Sequence, residues 1–260
     1  MRRIAAVSVN HNTSRYMELL LRSLIATHRP LQELGLALTV LDNASEDDPA
    51  DLRAYADRVG VPILPSGFTT HTRHNSHGEV LRRFVLDHPD ATHCLFLDAD
   101  AVFFAPNTIG TMADELDAAP DEVFAIGARI TSPWEPDKEV VEPDRIANLY
   151  ERRLHPFCAL FRNTPLFRRV AEQIGFSCVR YLWAERDQYL DTNELLSVAM
   201  RAFGYRYLRS SARVGHFFAV SYGMYGEERA RTLAAQRDHL LAGLRERDGR
   251  PRSPRQGHPP

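Results

Sequence analysis

The chain has 260 residues, 44% hydrophobic and 25% charged, with a formal net charge of -2. That composition excludes wholesale disorder and a collagen-like fibre, and the charge offers no electrostatic argument for nucleic acid. No apolar run approaches the roughly 20 residues that span a bilayer. Met1-Arg2-Arg3 is soon followed by Asn10-His11-Asn12, so no signal peptide is read. Cys94, Cys158 and Cys178 are scattered, with neither a CxxC pair nor a disulfide framework. Such usage fits a reducing compartment, and a cytoplasmic protein is expected. Lys138 is the only lysine, which argues against lysine-based catalysis.

Ile4–Val9 reads as a short buried strand. Thr13 and Ser14 are placed to cap a helix carrying Met17, Leu20, Leu21, Leu24 and Ile25 on one face. Leu36–Leu41 is the next strand and ends in the turn-forming Asp42-Asn43-Ala44-Ser45. A helix over Ala50–Val59, a strand at Val61–Leu64 and a helix over Gly78–Leu86 follow. His93–Leu97 is an apolar strand running straight into Asp98-Ala99-Asp100. Asn107 is placed to cap a helix bearing Ile109, Met112 and Leu116, and Val123–Ala128 is a further strand. Strands alternating with helices indicate an α/β fold with a mostly parallel central sheet and helices on both faces.

The second half is less regular. Thr131–Pro143 reads as a long loop that can order over a bound ligand. Phe157–Phe161 reads as a strand, and Thr164-Pro165 opens a helix. Asp191 or Thr192 is placed to cap a helix stopped by Gly204. Tyr205–Leu208 and His216–Val220 read as short strands. Glu227–Leu244 reads as a charged helix whose apolar face can pack on its own domain or on a partner chain, leaving a homo-oligomer open. The Arg-, Pro- and Gly-rich stretch from Arg245 is expected to be disordered.

The chemistry concentrates at strand ends, where ligands bind in open α/β sheets. Carboxylates at Asp98 and Asp100 can share Mg²⁺ or Mn²⁺, which can neutralise a diphosphate, and the small Ala99 leaves room for close approach. Asp42 can accept from a base N–H, although Asp42 and Asn43 also make a sufficient turn. His216 precedes Phe-Phe and Ser221-Tyr222-Gly223 and can approach the metal or simply pack. His11, His71, His74, His77 and His155 show no metal-ligand spacing. Trp134 can stack on an acceptor ring or anchor its loop, and Arg73, Arg129 and Arg186 can contact phosphate.

In order, Val-Ser-Val-Asn, Val-Leu-Asp-Asn-Ala-Ser-Glu-Asp and Leu-Phe-Leu-Asp-Ala-Asp resemble the nucleotide-sugar-binding half of GT-A glycosyltransferases, especially family 2, over residues 4–128. The resemblance implies one GT-A domain over 1–245, with a donor half at 1–128, an acceptor half at 129–245 and a tail at 246–260. It implies donor contacts at Val9, Asn10, Asp42, Asn43 and Asn75. It further implies a divalent metal and the donor diphosphate at Asp98, Ala99 and Asp100, with His216 as an added ligand. Asp191, or Glu194, stands where a catalytic base would remove a proton from an acceptor hydroxyl of a small molecule or glycan. Inversion at the anomeric carbon follows from the resemblance alone. Two alternatives remain at this stage: a haloacid-dehalogenase-type phosphatase using Asp98 and Asp100, and a non-catalytic sugar-nucleotide-binding module.

Overall fold

The computed structural model describes residues 2–28, 30–68, 76–139, 153–183, 185–218, 220 and 226–249. In chain order the first half comprises β1 (Ile4–Asn10), α1 (Ser14–Thr27), β2 (Leu36–Asp42), α2 (Ala50–Val59), β3 (Ile63–Pro65), α3 (Ser76–Asp87), β4 (His93–Asp98), β5 (Ala101–Val102), α4 (Thr108–Ala118) and β6 (Val123–Ser132). The second half comprises β7 (Glu135–Glu139), β8 (Cys158–Arg162), α5 (Pro165–Ile174), β9 (Val179–Trp183), β10 (Arg186–Leu190), α6 (Glu194–Ala202), β11 (Arg206–His216) and α7 (Gly226–Gly249).

The main sheet has the order β3-β2-β1-β4-β8-β6-β11-β5, with β7 on the end of β6. β3, β2, β1 and β4 are parallel, and β11 runs parallel to β6. β8 enters antiparallel between β4 and β6, joining the two halves in one sheet. Both faces are covered, which is why the central strands read as continuous apolar runs. Leu95 and Leu97 of β4 pack with Met17, Leu52, Ile109 and Met112 from α1, α2 and α4. Cys94 and Phe96, pointing the other way, pack with Phe84, Phe167, Leu196 and Met200 from α3, α5 and α6. Cys94 and Cys158 stand on the neighbouring strands β4 and β8; both thiols are buried, and burial raises the pKa of each, for Cys94 to about 12.

Several expected boundaries change. β6 continues through Ser132 and turns into β7, so residues 131–139 form a hairpin rather than a loop. The strand expected at 205–208 runs on to His216 as β11, with a register shift between Arg209 and Arg213, whereas the strand expected at 216–220 does not form: Phe217 and Phe218 lie beyond the end of β11, and residue 219 lies outside the described residues. The ribbon of β9 and β10 was not expected at all. α7 extends five residues beyond Leu244, so the disordered stretch does not begin at Arg245; residues 250–260 lie outside the described residues. Leu241 and Leu244 pack on the chain's own Tyr16 and Leu19.

The helix caps also differ. Thr164-Pro165 opens α5 as expected, and the Thr164 hydroxyl caps it, accepting from the Phe167 N–H at 3.1 Å. Thr13 makes no side-chain cap bond to α1; instead Asp47 accepts from the Ser14 N–H at 2.8 Å. Asn107 likewise makes no side-chain cap bond to α4. That duty falls to His28, whose Nε2 accepts from the Ile109 N–H at 2.9 Å. Since Nε2 accepts, the ring proton sits on Nδ1, close to the Leu24 carbonyl and the Thr27 hydroxyl.

Burial lowers the His28 pKa to about 4, so the fold holds a neutral ring. An unfolded histidine titrates near 6.5. Between those values the unfolded chain binds more protons, so this contribution is complete above about pH 6.5 and is lost as pH falls toward 4. His28→Ala is expected to destabilise the protein by about 1–3 kcal/mol through the stranded Ile109 N–H. Denaturant titrations across that pH window should show a flatter slope for the variant than for the wild type.

Candidate active site

The carboxyl ends of β1, β2 and β4 lie side by side. Asn10 pairs with Asp42, and Val9 with Asp98. The chain then turns through Ala99 and Asp100 into β5, which pairs with Gly215 and His216 at the end of β11. Two backbone bonds fix that turn: the Asp98 N–H donates to the Phe157 carbonyl at 2.9 Å, and the Phe217 N–H to the Asp100 carbonyl at 3.2 Å. The registers therefore deliver Asp98, Asp100 and His216 to one place. The His216 Nε2 lies 3.0 Å from the Asp100 Oδ1 and 3.6 Å from the Asp98 Oδ2. Asp100 and His216 are buried, and Asp98 is partly exposed.

The electrostatics follow from this packing. Burial would lower the His216 pKa, but the adjacent Asp100 and Asp98 carboxylates raise it to about 9. Burial would raise the Asp98 pKa, but the hydrogen bond and the charge of His216 hold it at about 2. The donor set is two hard oxygens and one imidazole nitrogen, which suits Mn²⁺ or Mg²⁺. One ligand atom from each residue lies within 4.8 Å of the others. Metal–ligand bonds of about 2.1 Å require ligand atoms roughly 3–4 Å apart, so the cluster fits an ion.

On the donor side, Asn10 is 1% exposed and is consumed internally. Its amide donates toward Asp42 Oδ1 and Ser45 Oγ, each at 3.0 Å, and toward Ser14 Oγ at 3.2 Å, while its Oδ1 accepts from Thr13 at 2.9 Å. Asn43 is also buried; its Oδ1 accepts from the Ser66 hydroxyl at 2.9 Å. Asp42 and Val9 keep partial exposure. The segment after β3 completes this edge. The Ser66 N–H donates to the Asp42 carbonyl at 2.8 Å, and Arg83 lies over the Phe68 ring. Pro65-Ser66-Gly67 is a turn signal that would have flagged it. Asn75 and Arg73 lie outside the described residues.

The acceptor half approaches through residues 153–157. The His155 ring stands 5.4 Å from that of His216 and Phe157 5.1 Å from it. Spacing alone gave no reason to choose His155, because only the fold brings it to the site. Its Nδ1 accepts from the Phe157 N–H at 3.2 Å, leaving the ring proton on Nε2. Burial and the Arg153 charge push its pKa well below the usual value, so the ring is neutral.

The same segment carries the second candidate region. The Leu154 carbonyl accepts from Asn193 Nδ2 at 2.7 Å, and buried Arg153 donates to Asp191 Oδ2 and the Thr192 carbonyl, each at 2.5 Å. Asp191 remains 40% exposed at its side chain. It does not cap α6 as expected: the N-cap residue is Asn193, at φ 68°, and Glu194 folds back to accept from the Asp191 N–H at 2.9 Å. Glu194 is buried in that capping role. Trp134 lies at the β6–β7 turn, edge-on to Phe217 and 36% exposed. Arg129 donates from Nε to the Ser210 carbonyl.

Neither a protein-family profile nor a characterised protein matches the sequence. Solved structures match its fold. A mannosyltransferase from Pyrobaculum calidifontis, in complex with GDP-Man and Mn²⁺, aligns at TM-score 0.58 and 19% identity over 96% of this chain and 66% of that one. The chain has the GT-A fold. Glucosyl-3-phosphoglycerate synthase from Mycobacterium tuberculosis aligns at TM-score 0.53 and 16% identity over 97% of this chain and 82% of that one, in its complex with phosphoglyceric acid. The same synthase with Mn²⁺, UDP and phosphoglyceric acid aligns at TM-score 0.51 and 17% identity. Among the described residues, no helix is long and apolar enough to cross a membrane.

The Asn10 network holds the β1–α1 and β2–α2 loops together. Asn10→Ala is expected to cost about 1–3 kcal/mol, because it strands buried hydroxyl groups. Urea unfolding should show a lower midpoint with an unchanged slope.

Proposed function

We propose that this protein is a metal-dependent glycosyltransferase that moves a sugar from a nucleoside-diphosphate donor to an acceptor hydroxyl. The observation that carries this reading is the convergence of Asp98, Asp100 and His216 at the carboxyl edge of the parallel strands of a GT-A sheet. The complexes of the similar structures with GDP-Man and Mn²⁺, and with UDP and Mn²⁺, support it. The phosphatase alternative finds no support in these similar structures, which are a mannosyltransferase and a glucosyl-3-phosphoglycerate synthase.

In this reading Asp98, Asp100 and His216 hold Mn²⁺ or Mg²⁺, which when bound supplies positive charge to the departing diphosphate. Asp42 faces the base, and Val9 and Ala99 allow close approach of the donor. Asn10 and Asn43 shape that edge from within rather than touching the donor. Asp191 is the base proposed for the acceptor hydroxyl, held in position by Arg153, while Glu194 maintains the helix start that presents it. The β6–β7 hairpin with Trp134 borders the acceptor side.

Calorimetric titration of GDP and UDP, with and without Mn²⁺, tests the donor site. Wild type should bind in a metal-dependent manner, and Asp98→Asn or His216→Ala should abolish the metal dependence. Binding without metal, or binding that survives both substitutions, counts against the reading. Asp191→Asn should keep donor binding and lower turnover by about 10²–10⁴. Donor binding without transfer to any acceptor would instead favour a non-catalytic module.

A further inference from the structure

α7 is docked largely by charge. Glu18, in the middle of α1, is 0% exposed, and a carboxylate there needs cationic partners. It has two: Arg22 Nε at 2.7 Å, and Arg245 of α7 through Nε at 3.0 Å and Nη2 at 2.6 Å. The Arg245 Nη2 also reaches Asp51 of α2 at 2.6 Å, and Arg22 reaches Asp248 of α7 at 2.5 Å. The last turns of α7 are therefore tied to both α1 and α2.

One turn before these pairs, Leu241 and Leu244 pack with Tyr16, Leu19, Val102 and Phe217 in a cluster of their own. Val102 and Phe217 belong to the two arms of the metal site. Val102 lies on β5, just after Asp100, and pairs with Gly215. Phe217 follows His216 and donates its N–H to the Asp100 carbonyl. Phe218 then adopts φ 62°, so the chain leaves the sheet immediately after this anchor. Tyr16 of α1 stands edge-on to Phe217, with ring centroids 5.2 Å apart, so α7, α1 and the two backbone segments that carry Asp100 and His216 share one packed cluster.

We propose that Glu18 and Arg245 are positioning residues for the metal site, and that docking of α7 and binding of a divalent cation at Asp98, Asp100 and His216 are thermodynamically coupled through Phe217 and Val102. This rests on reading that triad as a cation site. Each event orders residues that the other also needs ordered, so each lowers the entropic cost of the other. The coupling is reciprocal by linkage.

The test uses the full chain with Mn²⁺ and GDP or UDP. Arg245→Ala and Leu241→Ala loosen α7 without touching a ligand residue. Val170→Ala, a core truncation in α5 within a cluster that includes neither β5 nor the end of β11, serves as the control for general destabilisation. Both α7 variants should weaken Mn²⁺ binding about tenfold, within the usual range for coupled sites. Val170→Ala should leave Mn²⁺ affinity unchanged despite its lower melting temperature. In wild type, Mn²⁺ should slow amide hydrogen exchange across residues 226–249. Unchanged affinity in both α7 variants, equal weakening in Val170→Ala, or exchange in α7 indifferent to Mn²⁺ would each overturn the coupling while leaving the cation site standing. A wild-type protein that binds no Mn²⁺ would overturn both readings.

Discussion

Two carboxylates one residue apart, largely withdrawn from water, repel one another unless something positive lies between them. The molecule meets this constraint with a single imidazole. His216 comes from the far side of the sheet, and the proximity of both carboxylates favours its charged form. The antiparallel contact of β5 with β11 and the bond from Phe217 to Asp100 exist at the one place where that imidazole must be held. A neutral second imidazole, His155, stands alongside without adding a full charge.

The parts of this site come from residues 98–100, 153–157 and 216–217, and they meet largely through backbone groups. The Phe157 carbonyl steadies Asp98, the Asp100 carbonyl steadies Phe217, and the Leu154 carbonyl receives Asn193. Backbone donors and acceptors are available whatever side chain a position carries. A framework joined in this way tolerates extensive replacement of side chains. Such joints are compatible with a fold shared at 16–19% identity.

The first half was legible because its strands are covered on both faces and its helices on one. Those conditions write continuous apolar runs and 3.6-residue periodicity into the chain. Asp98 and Asp100 were legible because a strand running into two carboxylates places them at an edge. Asn10 and Asp42 were correctly placed at neighbouring strand ends, yet the sequence could not show that Asn10 bonds Asp42 itself. His155 gave no local signal, since its position depends on β8 threading between β4 and β6. The end of α7 was misread for a similar reason. Arg245 and Asp248 look like the start of a polar tail until Glu18 and Arg22, more than 200 residues earlier, are set against them.

The buried thiols of β4 and β8 carry a practical consequence. Cys94 lies on the strand that ends in Asp98, and Cys158 follows the residue whose carbonyl holds Asp98. Both are sealed from solvent and disfavoured as thiolates, so an alkylating reagent reaches them only when the packing over these strands opens. Their modification rate is therefore a built-in clock for opening of the floor beneath the two carboxylates. It needs no introduced label, and because the two thiols lie on opposite faces of the sheet it samples both helical layers.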